Sequence, residues 1–167
     1  TFAPELDRFA REILRDPERI EIGLTAPAQT VKHALCQVAP DRKTEMLRKH
    51  WEMGGLVALH CNFPSPWTGG SIYDFEKNGG EYSDIYTPGT RAHRNMKEQI
   101  DLLAEELRIL QEHNVVVLLR PFHEVNGGWF WWFSEDPEDF KTMWRYWHTY
   151  LRKERGVHNL LWIYSPS

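Results

Sequence analysis

VVVLLRPFHEVNGGWFWW, residues 115–132, joins an unbroken apolar run to a histidine and a glutamate and then to a block of aromatic rings. Five consecutive apolar residues bounded by polar ones predict a strand buried on both faces, the kind found in parallel sheets covered by helices. Parallel sheets deliver their chemistry from the loops that follow the C-terminal ends of strands. Arg120, His123 and Glu124 occupy that place here.

The same unit repeats on either side. Upstream, residues 91–113 set Met96, Ile100, Leu103, Leu107 and Leu110 on one stripe with charges opposite, which predicts a helix. Residues 56–60 before it predict a strand, and a helix capped by Asp41, with Met46, Leu47, His50 and Trp51 on one face, precedes that and stops at Gly54 and Gly55. Nearer the N-terminus, residues 4–14 read as a helix that stops before Pro17, and residues 20–24 as a short strand. Downstream, a helix over residues 137–155 is capped by Ser134 or Asp136, buries Phe140, Trp144, Trp147 and Leu151, and stops at Gly156; residues 159–164 form the last strand. Helices alternating with parallel strands make an α/β fold. A complete (β/α)8 TIM barrel takes about 250 residues, or about 31 per unit, so this chain is expected to be a single domain over residues 1–167 that forms a partial barrel of about four strand-helix units. It begins without a methionine or an apolar leader and ends just after a strand, which favours a piece of a longer polypeptide lacking the C-terminal strands. Two open sheet edges would invite self-association.

Composition narrows the function. Lys and Arg number 20 against 24 Asp and Glu, a net charge of −4, and no long basic run occurs, so nucleic acid is not an expected partner. No apolar run approaches the roughly 20 residues that span a membrane. The two cysteines, Cys36 and Cys61, lack metal-ribbon spacing and leave one disulfide as an open pairing. Eight Trp, six Tyr and eight Phe exceed what a core of this size needs, so some should line a pocket that takes flat ligands such as sugar rings.

Two readings of residues 120–132 stand side by side. In one, Glu124 sits among apolar rings, an environment that makes a carboxyl hold its proton, and serves as a glycosidase-type general acid beside indoles that stack on sugars. In the other, Glu124 pairs with Arg120 over an aromatic core. A metal site from His60, His123 and Glu124 is a weaker reading, because neighbours on a strand face opposite ways and no HxH or HExxH spacing appears. No cofactor or metal is expected. Residues 61–90, rich in Gly pairs and aromatics and without periodicity, form a long loop of the functional kind, or else a surface excursion packed on its own rings.

Three blocks now resemble glycoside hydrolase family 26, a family dominated by endo-β-1,4-mannanases with β-1,3-xylanase and lichenase-type members. They are Gly54-Gly55-Leu56 leading to PSPWTGGSIYD at residues 64–74, RPFHEVNGGWFWW at residues 120–132, and HNLLWIYSPS at residues 158–167. The resemblance runs from about Trp51 onward; residues 1–50 match in pattern only.

The resemblance implies an endo-acting retaining hydrolase of β-mannan. Glu124 would be its acid/base, His123 and Trp129 its sugar contacts, Arg120 would orient the carboxylates, Trp67 would lie in the substrate-binding loop block, and Tyr164 would face the cleft. A further sugar contact falls on His60 or Asn62. Phe133 replaces the glycine that commonly follows WFWW. The family's nucleophile, a second Glu about 5–5.5 Å from the acid/base, belongs to the seventh strand, whereas the blocks span roughly the second to the fifth. The nucleophile is therefore expected to lie outside this chain, with Asp74, Glu76, Glu81 and Asp84 the only carboxylates of the long loop to weigh against that. A non-catalytic carbohydrate-binding fragment is the competing expectation. Polymeric substrates imply export, to the periplasm or the cell exterior.

Overall fold

A computed structural model describes residues 42–166, within the unit formed by residues 38–167. The helix and strand expected at residues 4–14 and 20–24, the cap at Asp41, and Cys36 lie outside the described residues. Three helices and three strands alternate: α1 Lys43–Glu52, β1 Val57–His60, α2 Arg91–Glu112, β2 Val117–Arg120, α3 Pro137–Thr149 and β3 Leu160–Trp162. A 3-10 turn, Tyr82–Tyr86, lies in the loop between β1 and α2, and a π-helical turn, Tyr150–Glu154, continues α3.

The strands are parallel in the order β1-β2-β3, with Val57 opposite Val117 and Val117 opposite Leu160. Strand neighbours that are also chain neighbours, each pair joined through a helix, are the βα repeat inferred from periodicity. Val57, Val117 and Leu119 point into one core with Met96, Ile100 and Leu107 of α2 and Met143 and Trp147 of α3. The alternate positions carry Ala58, Leu118 and Leu161, of which Leu161 is 58% exposed. The apolar run through β2 implied burial on both faces. Among the described residues only one face is covered, so Leu118 is half-buried.

Element ends differ from the sequence reading for local reasons. Val115 is buried but belongs to the turn after α2: its N–H donates to the Leu110 carbonyl at 3.0 Å and its carbonyl accepts from Asn159 Nδ2 at 2.8 Å. Asp136, not Ser134, caps α3, accepting from the Glu138 N–H at 2.9 Å with Pro137 as the first helical residue. The helix predicted to reach Arg155 widens into its π turn at Tyr150, whose hydroxyl donates to Asp101 on α2 at 2.6 Å. Burial pulls the Asp101 carboxyl upward, but the bonds from Lys97 and Tyr150 and the Arg155 charge outweigh it and hold the group below the usual range. On α1, Leu47 and Trp51 rest against the core while Met46 and His50 stay exposed, and Gly54 ends the helix at φ +85°.

His93 of α2 is a buried polar residue outside the sheet mouth. Its Nε2 lies 2.8 Å from the Tyr146 hydroxyl and its ring stacks on Trp147 at 5.5 Å. Burial, and then the charges of Lys97 and Arg94, push its pKa below the ordinary 6.5. His123 is lowered likewise, burial again first. The unfolded chain therefore binds protons that the folded one resists, so stability is full above about pH 6.5 and falls as pH drops below it. The lowered carboxylates act in a separate window, below their ordinary values of 3.8 to 4.5. The urea midpoint is expected to fall between about pH 7.5 and 5.5, and His93→Gln to flatten that fall. A midpoint constant across this interval would show that neither ring resists protonation.

Candidate active site

The register sets His60 beside Arg120 at the C-terminal ends of β1 and β2. β2 ends at Arg120, the chain bends through Pro121 and Phe122, and His123 then forms an isolated parallel bridge to Ser165 past β3. Arg120 Nη1 donates to the Ser165 hydroxyl at 3.3 Å, tying the same two segments together. Glu124, directly after that bridge, has φ +50°, a left-handed backbone that costs a non-glycine residue about 1 kcal/mol or more and is enriched at functional sites.

That turn separates two environments. His123 is 8% exposed, its ring meeting Phe130 at 4.7 Å, Trp132 at 5.3 Å and His60 edge-on at 5.3 Å. Glu124 is half-buried, and its Oε2 accepts a hydrogen bond from the Trp129 indole N–H at 2.9 Å. Among the described residues Arg120 forms no ion pair with Glu124, and no three His, Cys, Asp or Glu side chains gather as a metal site.

The aromatic block divides by exposure. Trp129 is 44% exposed beside Glu124, whereas Phe130, Trp131 and Trp132 are buried. The indoles of the buried pair are spent on the backbone: Trp131 N–H donates to the Phe63 carbonyl at 2.6 Å and Trp132 N–H to the His123 carbonyl at 2.9 Å. They hold the site and present no stacking face.

Trp67 corrects the expectation of a substrate-binding residue in that loop. It is 4% exposed, packed between Tyr82 at 6.4 Å and Trp131 edge-on at 5.9 Å. An apolar ring inside PSPWTGG gains more from this core than from a half-wet cleft, a choice that spacing alone does not reveal. The same loop does bring out a ring not singled out from sequence. Tyr73 is exposed and stacks on Phe130 at 5.4 Å and 26°, one ring removed from Trp129. Its signal in the sequence is only its place in SIYD. Asn62 and His60 are exposed after and at the end of β1, and Tyr164, exposed after β3, meets Phe140 and Trp144 at 6.5 Å.

Three of the four loop carboxylates are engaged in local turns. Asp74 accepts from the Thr68 hydroxyl and from the Glu76 N–H, bonds that lower its pKa. Glu81 and Asp84 form a reciprocal capping box on the 3-10 turn. Cys61, just after β1, is a free thiol pushed up to about 12 by burial, far from a reactive thiolate.

A family model for glycosyl hydrolase family 26 matches residues 30–167, beginning upstream of the Trp51 block. The mannan endo-1,4-beta-mannosidase A and B of Caldalkalibacillus mannanilyticus is 34% identical over 126 residues, 70% of this chain and 25% of that protein. The mannan endo-1,4-beta-mannosidase of Bacillus subtilis is 30% identical over 129 residues, 72% of this chain and 36% of its own length. The chain thus spans about a quarter to a third of these relatives. Among solved structures, GH26A from Muricauda sp. superposes with a TM-score of 0.68 at 30% identity, over 75% of this chain and 43% of that one. Bacillus subtilis mannanase man26 gives the same TM-score at 27% identity, over 74% and 40%. The βα units described above are those of a partial TIM barrel, and the chain belongs to glycosyl hydrolase family 26.

Proposed function

We propose that these residues form the acid/base half of a retaining endo-β-1,4-mannanase site. The observation that carries the reading is the exposed Trp129 indole bonded to the Glu124 carboxyl at the C-terminal mouth of a parallel sheet. Glu124 would protonate the departing glycosidic oxygen and then, as a carboxylate, take a proton from the water that releases the sugar. A nucleophilic carboxylate on the opposite side of the bond is supplied from outside this chain. Trp129 stacks on a sugar ring, Tyr73 extends the aromatic surface, and His123 stays neutral as a hydrogen-bond partner. His60, Asn62, Arg120 and Tyr164 contact hydroxyls around them. A polymeric substrate would call for export from the cell, and β1 and β3, the outer strands of the sheet among the described residues, are where a second copy would pair.

A carbohydrate-binding role without hydrolysis is the second reading, favoured by the exposed rings of Trp129 and Tyr73, which can stack on sugars whether or not a bond is cleaved. Both readings require oligosaccharide binding. Calorimetric titration with mannooligosaccharide is expected to show saturable binding to the chain, weakened roughly 2- to 12-fold in Trp129→Ala, the value of an aromatic stacking contact. Equal affinity in the variant would remove Trp129 from the site. Stronger binding of β-1,3-xylan or lichenan oligosaccharides than of mannan fragments would move the substrate to another β-glycan.

A further inference from the structure

Between Glu124 and Trp129 lie two glycines that do different things. Gly128 has φ +75°, a conformation that side-chain-bearing residues rarely adopt, and a Cβ built there would meet nothing within 4 Å. Gly127 is the reverse. Its backbone lies outside the positive-φ region, so alanine is conformationally allowed, yet a Cβ there would sit 2.2 Å from Trp129 Cζ2 and 2.4 Å from Cε2. The glycine is needed for space, not for its backbone freedom.

The atoms it would strike belong to the indole whose N–H donates to Glu124 Oε2, and Cε2 is the carbon that carries that nitrogen. The Gly127 N–H in turn donates to the Glu124 carbonyl at 3.0 Å, closing the turn that begins at the strained Glu124. The benzo side of the ring therefore lies close over residue 127, in the turn that holds the carboxyl. Only a ring seated this low brings its N–H to the carboxyl oxygen, because a methyl group would lift it by more than an ångström from a contact that is already close packed.

We propose that Gly127 is a positioning residue for Glu124: the missing side chain is the seat of the Trp129 indole, and that seat sets both the hydrogen bond to the carboxyl and the height of the stacking face. The functional weight of this inference rests on Glu124 being the acid/base of the proposed site, but the geometry does not. A substituent at residue 127 would uncouple carboxyl and ring while leaving the buried Trp131 and Trp132 in place.

The test reads the bond itself. In nitrogen-15 spectra of the 167-residue chain, the Trp129 Nε1–H signal is assigned by its loss in Trp129→Phe and followed as pH crosses the carboxylate range. In the parent sequence it is expected to titrate, and in Glu124→Gln to lose that dependence. Gly127→Ala is expected to lose it as well, with the Trp131 and Trp132 indole signals unmoved. Gly128→Asn, which tolerates the left-handed backbone and whose Cβ meets nothing within 4 Å, is expected to keep it. A titrating Trp129 signal in Gly127→Ala would overturn the proposal. Loss of titration in both glycine variants would overturn it too, since the cause would then be the turn and not the seat. No sugar enters this experiment, so failure to bind or cleave mannan would defeat the functional reading and leave this inference standing.

Discussion

Glu124→Gln is expected to lower kcat on mannan by roughly 10²- to 10⁴-fold, the usual worth of general acid-base catalysis, in the polypeptide that joins these residues to their nucleophile. Glutamine keeps the shape of the side chain and an oxygen that accepts the Trp129 indole N–H, so the turn and the stacking face survive. What it lacks is a proton to give. Oligosaccharide affinity should therefore change little while turnover collapses, the split that marks an interaction made only in the transition state. Substrates with acidic leaving groups need less protonation, and on these the loss should be smaller than on the polymer. Turnover within a few-fold of the parent on mannan would remove Glu124 from the mechanism.

Trp131→Ala should be among the most destabilising single changes, at about 3–5 kcal/mol for a fully buried aromatic ring. Against the roughly 5–15 kcal/mol that holds an ordinary domain together, that is a large part of the total. The ring is 1% exposed and meets Trp67, Phe122 and Trp132 at 5.9, 6.2 and 5.4 Å. Its loss also orphans the Phe63 carbonyl and removes the ring against which Trp67 packs, which loosens residues 61–90 even though the backbone bond from the Trp131 N–H to the Ile72 carbonyl is kept. Trp131→Phe keeps most of the packing but not the indole bond, and should cost about 1–3 kcal/mol. Trp129→Ala, two residues away and half exposed, should cost less than about 1 kcal/mol. Urea unfolding of the three variants checks the order. Equal midpoints for Trp131→Ala and Trp129→Ala would mean that the long loop is not pinned through this ring.

The two tryptophans show where sequence reading stops. Both stand in WFWW, and nothing in their types or spacing says that one faces outward and the other is sealed inside. A turn with a left-handed residue at Glu124 and another at Gly128 breaks the alternation that a strand would impose, so period-two reasoning fails over residues 124–132. Trp67 was misplaced for a related reason. In an aperiodic loop, burial depends on which distant partners the loop meets, here Tyr82 and Trp131.

Regular elements were legible because their cause is local. The stripe of α2 and the apolar runs of β1 and β2 follow from 3.6- and 2-residue periods, and the histidine-glutamate pair at the end of β2 follows from where parallel strands end. Those features, with the charge balance and the three blocks, determined the α/β class, the family and the candidate carboxyl. Tertiary structure alone decided which aromatic ring meets that carboxyl, which rings brace it from below, and why residue 127 has no side chain. Each of those depends on contacts between side chains whose directions are set by turns and by packing against residues far along the chain, and linear order carries no record of such directions.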